Sequence, residues 1–129
     1  MAYQKGVLLL LAVTMNLTLL NFHLAFAQLE WDLAKLDLLR DCWYTIHNEP
    51  NGVLSPSPTC CKTIKREDID GVCEHLTPTD QETINARKLV DATMACGKSF
   101  KTTTKYCGKF KIPPTADNYD TFQAIRGRL

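Results

Sequence analysis

Glycine is scarce in this chain, six in 129 residues, and aromatic residues make up only 9%. No glycine-rich phosphate loop appears, and no nucleophile elbow. Those absences remove the common signatures of phosphoryl transfer and of serine hydrolases. Histidine is rarer still, three in all. His47 and His75 have no nucleophile or acid partner that would make a catalytic pair, and both read as surface residues. The chain is therefore expected not to be an enzyme, and no cofactor or metal is expected. Net charge is lacking too, with 15 basic residues against 14 acidic ones. That balance argues against nucleic-acid binding, which needs a basic surplus. Beyond the first 27 residues no apolar run is long enough to cross a bilayer. The polar C-terminal stretch carries no lipid-anchor signal, and no internal repeat is present.

The first 27 residues differ from the rest. Lys5 gives a short positive start, residues 7–20 are mostly Leu, Val and Ala, and Ala25-Phe26-Ala27 has the small-x-small form of a cleavage site. Thr14, Asn16 and Thr18 interrupt the run, which favours a cleaved export signal over a membrane anchor. Cleavage is expected between Ala27 and Gln28, leaving a secreted protein of residues 28–129. A domain of that size has a marginal core unless it is stapled.

Staples are available. Cys42, Cys60, Cys61, Cys73, Cys96 and Cys107 all follow the export signal, and an even cysteine count in a small secreted chain reads as a disulfide framework. For the same reason Cys73-Glu74-His75 is not read as a metal site. A bond between neighbours is strained, so Cys60 and Cys61 should have different partners. That sets aside three of the 15 pairings that six cysteines allow and leaves the others open.

Apolar residues at three- and four-residue steps predict a first helix over residues 29–47, with Leu29, Leu33, Leu36, Leu39 or Cys42, Trp43 and Ile46 on its inner face. Glu49-Pro50-Asn51-Gly52 stops it, and Ser55-Pro56-Ser57-Pro58 is extended. A second helix begins near Thr59, with a break invited at Asp70-Gly71. Thr79 and Glu82 have the spacing of a capping box, which predicts a third helix running to Cys96. Gly97 suits its left-handed end. The run Thr102-Thr103-Thr104 leaves room for only a short fourth helix in 98–106, because β-branched residues lose rotamer freedom there. Residues 108–112 look extended, Pro113-Pro114 marks the domain edge, and 114–129 reads as a polar, flexible tail. Charge is split along the chain: residues 28–91 carry five more acids than bases, and 92–129 five more bases than acids. The plain reading of Lys98, Lys101, Lys105, Lys109 and Lys111 is a solvated face. The sharper one is a patch that meets an anionic surface.

The order Cys…Cys-Cys…Cys…Cys…Cys, with Pro56-Ser57-Pro58-Thr59-Cys60-Cys61, Val72-Cys73, Ala95-Cys96-Gly97-Lys98 and Lys105-Tyr106-Cys107-Gly108-Lys109-Phe110-Lys111-Ile112-Pro113, resembles the plant non-specific lipid transfer proteins. These sit in a wider group with seed 2S albumins and α-amylase/trypsin inhibitors. The resemblance implies an all-α fold over residues 28–113: about four helices in a right-handed superhelix, disulfide-stapled, with an extended C-terminal segment. It departs from the family in having six cysteines rather than eight. Gly71 stands where one would be, and the other should fall near Trp31 or Asp32. One family pairing scheme joins those two positions, so their joint loss orphans no thiol. That scheme implies Cys42–Cys60, Cys61–Cys96 and Cys73–Cys107.

The resemblance also implies an apolar cavity for an acyl chain, lined by Leu36, Leu39, Ile46, Ile64, Val72, Leu76, Ile84, Leu89, Val90, Phe110 and Ile112. A filled core would use the same residues. Tyr106, Lys109 and Lys111 are candidates for the lipid head group. The implied ligand is a fatty acid or phospholipid, with transient membrane-surface contact, a monomeric state and an extracellular location such as the apoplast or cell wall. Two alternatives share the scaffold. One is a protease or α-amylase inhibitor acting through residues 49–58; the other is a secreted signalling or defence polypeptide.

Overall fold

The computed structural model describes residues 1–49 and 54–114. Five helices and a two-residue-per-strand hairpin follow one another in chain order. Helix α1 runs Ala2–Ile46 without interruption. Between Gly6 and its end the sequence contains neither proline nor glycine, so nothing breaks the backbone ladder where the apolar run meets the amphipathic segment. The chain divides into two units, Met1–Asp32 and Leu33–Leu129.

In the first unit α1 is long and apolar enough to cross a membrane by length and composition. Its polar interruptions are satisfied by the helix itself. The Thr14 and Thr18 hydroxyls and the Asn16 amide donate to carbonyls three or four residues earlier, at 2.8–3.0 Å.

In the second unit, α1 buries Ala34, Lys35, Leu38, Cys42, Thr45 and Ile46. The apolar stripe expected to face inward does so only at its end, at Cys42 and Ile46. Leu33 is 54% exposed, Leu36 61% and Trp43 42%, while Leu39 is half-buried. The helix is rotated so that Cys42 meets Cys60 and Lys35 meets Asp80, and these two links select the inner face over a leucine count.

Helix α2 spans Pro58–Arg66 and starts as Ser-Pro should, with Ser57 Oγ accepting from the Cys60 N–H at 3.1 Å and proline at the first turn. It ends at Glu67. The break expected at Asp70-Gly71 falls earlier, because Asp68 caps a new helix by accepting from the Gly71 N–H at 3.2 Å. Helix α3 is Ile69–Glu74, with Gly71 buried inside it.

The single third helix expected from Thr79 to Cys96 is two, α4 Asp80–Thr83 and α5 Ala86–Ala95. Thr79 is itself helical and makes no side-chain cap. The reciprocal box lies two residues earlier: Thr77 Oγ1 accepts from the Asp80 N–H at 3.1 Å, and Asp80 Oδ2 accepts from the Thr77 N–H at 2.9 Å. Pro78 then follows the capping residue, where its fixed φ and missing N–H cost nothing. The break at Ile84-Asn85 is a tertiary event. Ile84 forms a β-bridge with His47, and the flanking bonds are Asn48 N–H to Thr83 O (2.8 Å) and Asn85 N–H to Ile46 O (2.7 Å). Asn85 then caps α5 through the Lys88 N–H at 3.0 Å.

Gly97 ends α5 at φ +81°, with Gly97 N–H bonded to Met94 O and Lys98 N–H to Thr93 O, the double bond of a Schellman turn. Residues 98–105 form turns and coil rather than a short fourth helix. Strands β1 (Tyr106–Cys107) and β2 (Phe110–Lys111) pair antiparallel about Gly108-Lys109.

Three disulfides join these pieces: Cys42–Cys60, Cys61–Cys96 and Cys73–Cys107. The adjacent pair thus ties α2 to α1 on one side and to the end of α5 on the other. The third bridge holds the hairpin against α3. With sequence separations of 18, 35 and 34, each stabilises by about 3–4 kcal/mol in the chain-entropy account. Leu38, Ile46, Ile64, Ile69, Val72, Ile84, Leu89 and Val90 fill the interior at 1% exposure or less. The result is a small all-α, disulfide-stapled fold.

Candidate functional site

A cleft lies where α3, the Thr77 turn and the hairpin converge. It has a volume of about 500 Å³ and is walled by Cys73, Glu74, Leu76, Pro78, Gln81, Thr103, Thr104, Lys105, Tyr106, Gly108 and Lys109. The Cys73–Cys107 bridge brings its two sides together, and the Gly108 N–H donates to Cys73 O at 3.1 Å. Gln81 locks the third side. Its Oε1 accepts from the Lys109 N–H at 3.1 Å, while its Nε2 donates to Thr77 O at 3.3 Å. Gly108 is favoured there by its φ of +54°, and a Cβ would also push on the Gln81 carboxamide, 2.6 Å away. A shallower groove of about 320 Å³ shares Gln81 and Lys109 and adds Ile84 and Phe110.

Of the proposed head-group residues, Tyr106 and Lys109 both face the cleft. Lys111 is directly opposite Tyr106 in the hairpin, so the two share one face. Tyr106 is 55% exposed. Among the proposed lining residues, Ile46, Ile64, Val72, Leu89, Val90 and Ile112 are interior side chains. Leu76 reaches the cleft, and Ile84 and Phe110 reach the groove. Leu39 stays half-buried, and Leu36 points away from the interior altogether.

Sequence reasoning missed Thr104, Gln81, Glu74 and Lys105 as cleft residues. Thr104 is 6% exposed, and its hydroxyl is buried with no hydrogen-bond partner among the described residues. The triple threonine gave only a helix-unfriendly signal, because a short loop has no periodicity that tells one threonine from the next. Asp70, buried in α3, fixes this loop by accepting from the Lys101 N–H at 2.9 Å.

Three carboxylates in the domain depart from their ordinary titration. Burial works against the charge of Asp80. The Lys35 ammonium at 2.7 Å and the Thr77 N–H and hydroxyl outweigh it, so its carboxyl stays below the usual range. Asp41 is held well below that range by Arg40 and by the Thr63 hydroxyl at 2.6 Å. Asp91 moves the other way: burial raises it, against the opposing pull of Arg87.

Lys98 and Lys88 are half-buried and turned back onto the backbone. Lys98 folds back onto the end of α2 and donates to the carbonyls of Ile64 (2.9 Å) and Glu67, which explains the lysine of Cys96-Gly97-Lys98. Lys88 does the same beyond α1, to His47 O and Glu49 O. His47, expected at the surface, is only 8% exposed; it is stacked on Trp43 and placed 3.1 Å from Glu49. Residues 50–53, the centre of the segment considered for inhibition, and residues 115–129 of the expected tail lie outside the described residues. Cys73 is bonded to Cys107, and no cluster of His, Cys, Asp and Glu suited to a metal ion occurs among the described residues.

The residues thus build a disulfide-stapled helical domain with an apolar interior and a partly open cleft that carries Lys105 and Lys109. The family model described as probable lipid transfer matches residues 25–107, and the chain belongs to that family. No curated protein and no solved structure matches it.

Proposed function

We propose that this protein is exported, loses residues 1–27, and binds a single acyl lipid in the domain 28–113. The family match over residues 25–107 carries the reading. In this reading the acyl chain inserts among Ile46, Ile64, Val72, Leu89 and Val90, whose side chains close the interior of the lipid-free protein. Burying methylenes contributes about 0.8 kcal/mol each, so a fatty-acid tail offsets its association cost without many hydrogen bonds. Tyr106, Lys109 and Lys111 meet the carboxylate or phosphate of the head group. The protein works as a monomer and as a carrier, with no covalent chemistry.

The test is displacement of a fluorescent fatty acid from the protein recovered from the medium of an expressing eukaryotic cell. N-terminal sequencing should begin at Gln28, and unlabelled fatty acid should compete with the probe. Val72→Glu, at a fully buried position, should abolish probe binding while the helical circular dichroism persists. A wild-type protein that takes up no probe refutes the reading.

A further inference from the structure

Residues 92–114 contain five lysines and no acidic residue, whereas residues 115–129 are balanced. The basic surplus of the C-terminal third therefore sits on residues 98–111, which include the cleft residues Lys105 and Lys109. Lys98 is used internally, bonded to the end of α2. The remaining four, Lys101, Lys105, Lys109 and Lys111, are exposed. No ion pair neutralises any of them among the described residues, although Lys35, Arg40, Arg66 and Arg87 all have carboxylate partners. Lys105, Tyr106 and Lys109 stand on one cleft, and Lys111 shares the hairpin face of Tyr106. Glu74, on the α3 wall, is the single acid among the residues lining that cleft.

We propose that this hairpin face is a docking surface for an anionic bilayer, which it meets with the mouth of the cleft turned toward the membrane. Charge complementarity selects the occupant. The ammonium groups of Lys105, Lys109 and Lys111, on flexible stems and without an ion pair among the described residues, suit a laterally mobile layer of phosphates better than a fixed protein surface. Tyr106, half-exposed among them, is a side chain suited to the head-group level, apolar in its ring and polar at its tip. A juxtamembrane lysine adds roughly a fivefold gain in attachment to an anionic surface, falling off within a Debye length. The arrangement gives the proposed lipid-binding role an entry route, and to that extent the inference rests on that role. Docking and ligand uptake are nonetheless measured separately.

The test is co-sedimentation of the secreted protein with vesicles of phosphatidylcholine alone or of phosphatidylcholine with about one-third phosphatidylglycerol. Binding is expected only to the anionic vesicles, and it should be lost on raising salt from about 0.05 M to about 0.5 M. Lys105→Gln/Lys111→Gln should weaken it roughly 25-fold. The charge-matched control Lys62→Gln/Lys65→Gln, on the exposed side of α2, should change it less than threefold, roughly.

Equal binding to neutral vesicles, or equal losses in the two double variants, overturns the docking surface. If both variants lost their helical spectrum, the salt titration and the neutral-vesicle comparison on wild type would still decide. A wild type that binds the fatty-acid probe but no anionic vesicle refutes docking and leaves the lipid reading intact. A wild type that binds anionic vesicles but no probe does the reverse.

Discussion

The Lys35 ammonium lies 2.7 Å from the Asp80 carboxylate, with Lys35 almost fully buried and Asp80 also closing the capping box with Thr77. One carboxylate therefore holds a helix start and a buried cation together, and so joins α1 to the wall of the cleft. Breaking a buried pair from one side leaves a charge without its main compensation. Asp80→Asn should cost about 2–3 kcal/mol in urea denaturation at neutral pH, less than a fully buried pair because Asp80 is 26% exposed. The pH dependence has a definite sign. The folded carboxyl titrates below its unfolded value, so its contribution is complete above about pH 4 and is lost as pH falls through the folded value. The Asp80→Asn variant should show a shallower loss of stability on acidification than wild type.

Thr77 and Thr79 are two residues apart and differ in what they hold. Thr77→Ala removes the Oγ1 acceptor of the Asp80 N–H and should cost about 1 kcal/mol. Thr79→Ala, with no side-chain cap to lose, should stay within about 0.5 kcal/mol of wild type. Thermal or urea midpoints of the pair read the difference directly. Equal costs would return the box to Thr79.

Leu36 and Leu38 make a similar contrast on α1. Leu38→Ala empties a fully buried position and should destabilise by about 2–5 kcal/mol. Leu36→Ala, at 61% exposure, should cost less than about 0.5 kcal/mol. Denaturant titration of both fixes the rotation of the helix.

Thr104→Val tests the buried hydroxyl beside the cleft. A buried polar group without a partner carries its desolvation cost, so removing it should raise stability by about 1 kcal/mol in the lipid-free protein. A loss of stability would mean that the hydroxyl is satisfied through a bound water.

Much of this protein is legible from its residues because the signals are local. An apolar start followed by six cysteines, Ser57-Pro58 before a helix, and Gly97 after one each act within a few residues. Caps and left-handed turns depend on the nearest backbone groups, and the structure shows both. The cysteine pairs Cys42–Cys60, Cys61–Cys96 and Cys73–Cys107 followed from the family pattern and not from spacing, which left many pairings open. Where two local signals competed, as at Thr77 and Thr79, the spacing to Glu82 pointed to the wrong residue. Pro78 decided between them.

Tertiary structure alone decided the rest. Leucine periodicity gives a helix but not its rotation when apolar residues lie on more than one face. Here the Cys42–Cys60 bridge and the Lys35–Asp80 pair turned Leu36 outward and a lysine inward. The split of the expected third helix came from pairing Ile84 with His47, residues 37 positions apart, whose bonds repay the broken helical ones. The cleft likewise assembles α3, the Thr77 turn, the 103–105 loop and the hairpin, which meet only because a disulfide and Gln81 hold them there. Local pattern determined the export signal expected, the Ser57 start of α2 and the Gly97 end of α5. Contacts distant in sequence, which no short window contains, determined which faces are buried and where a ligand can enter.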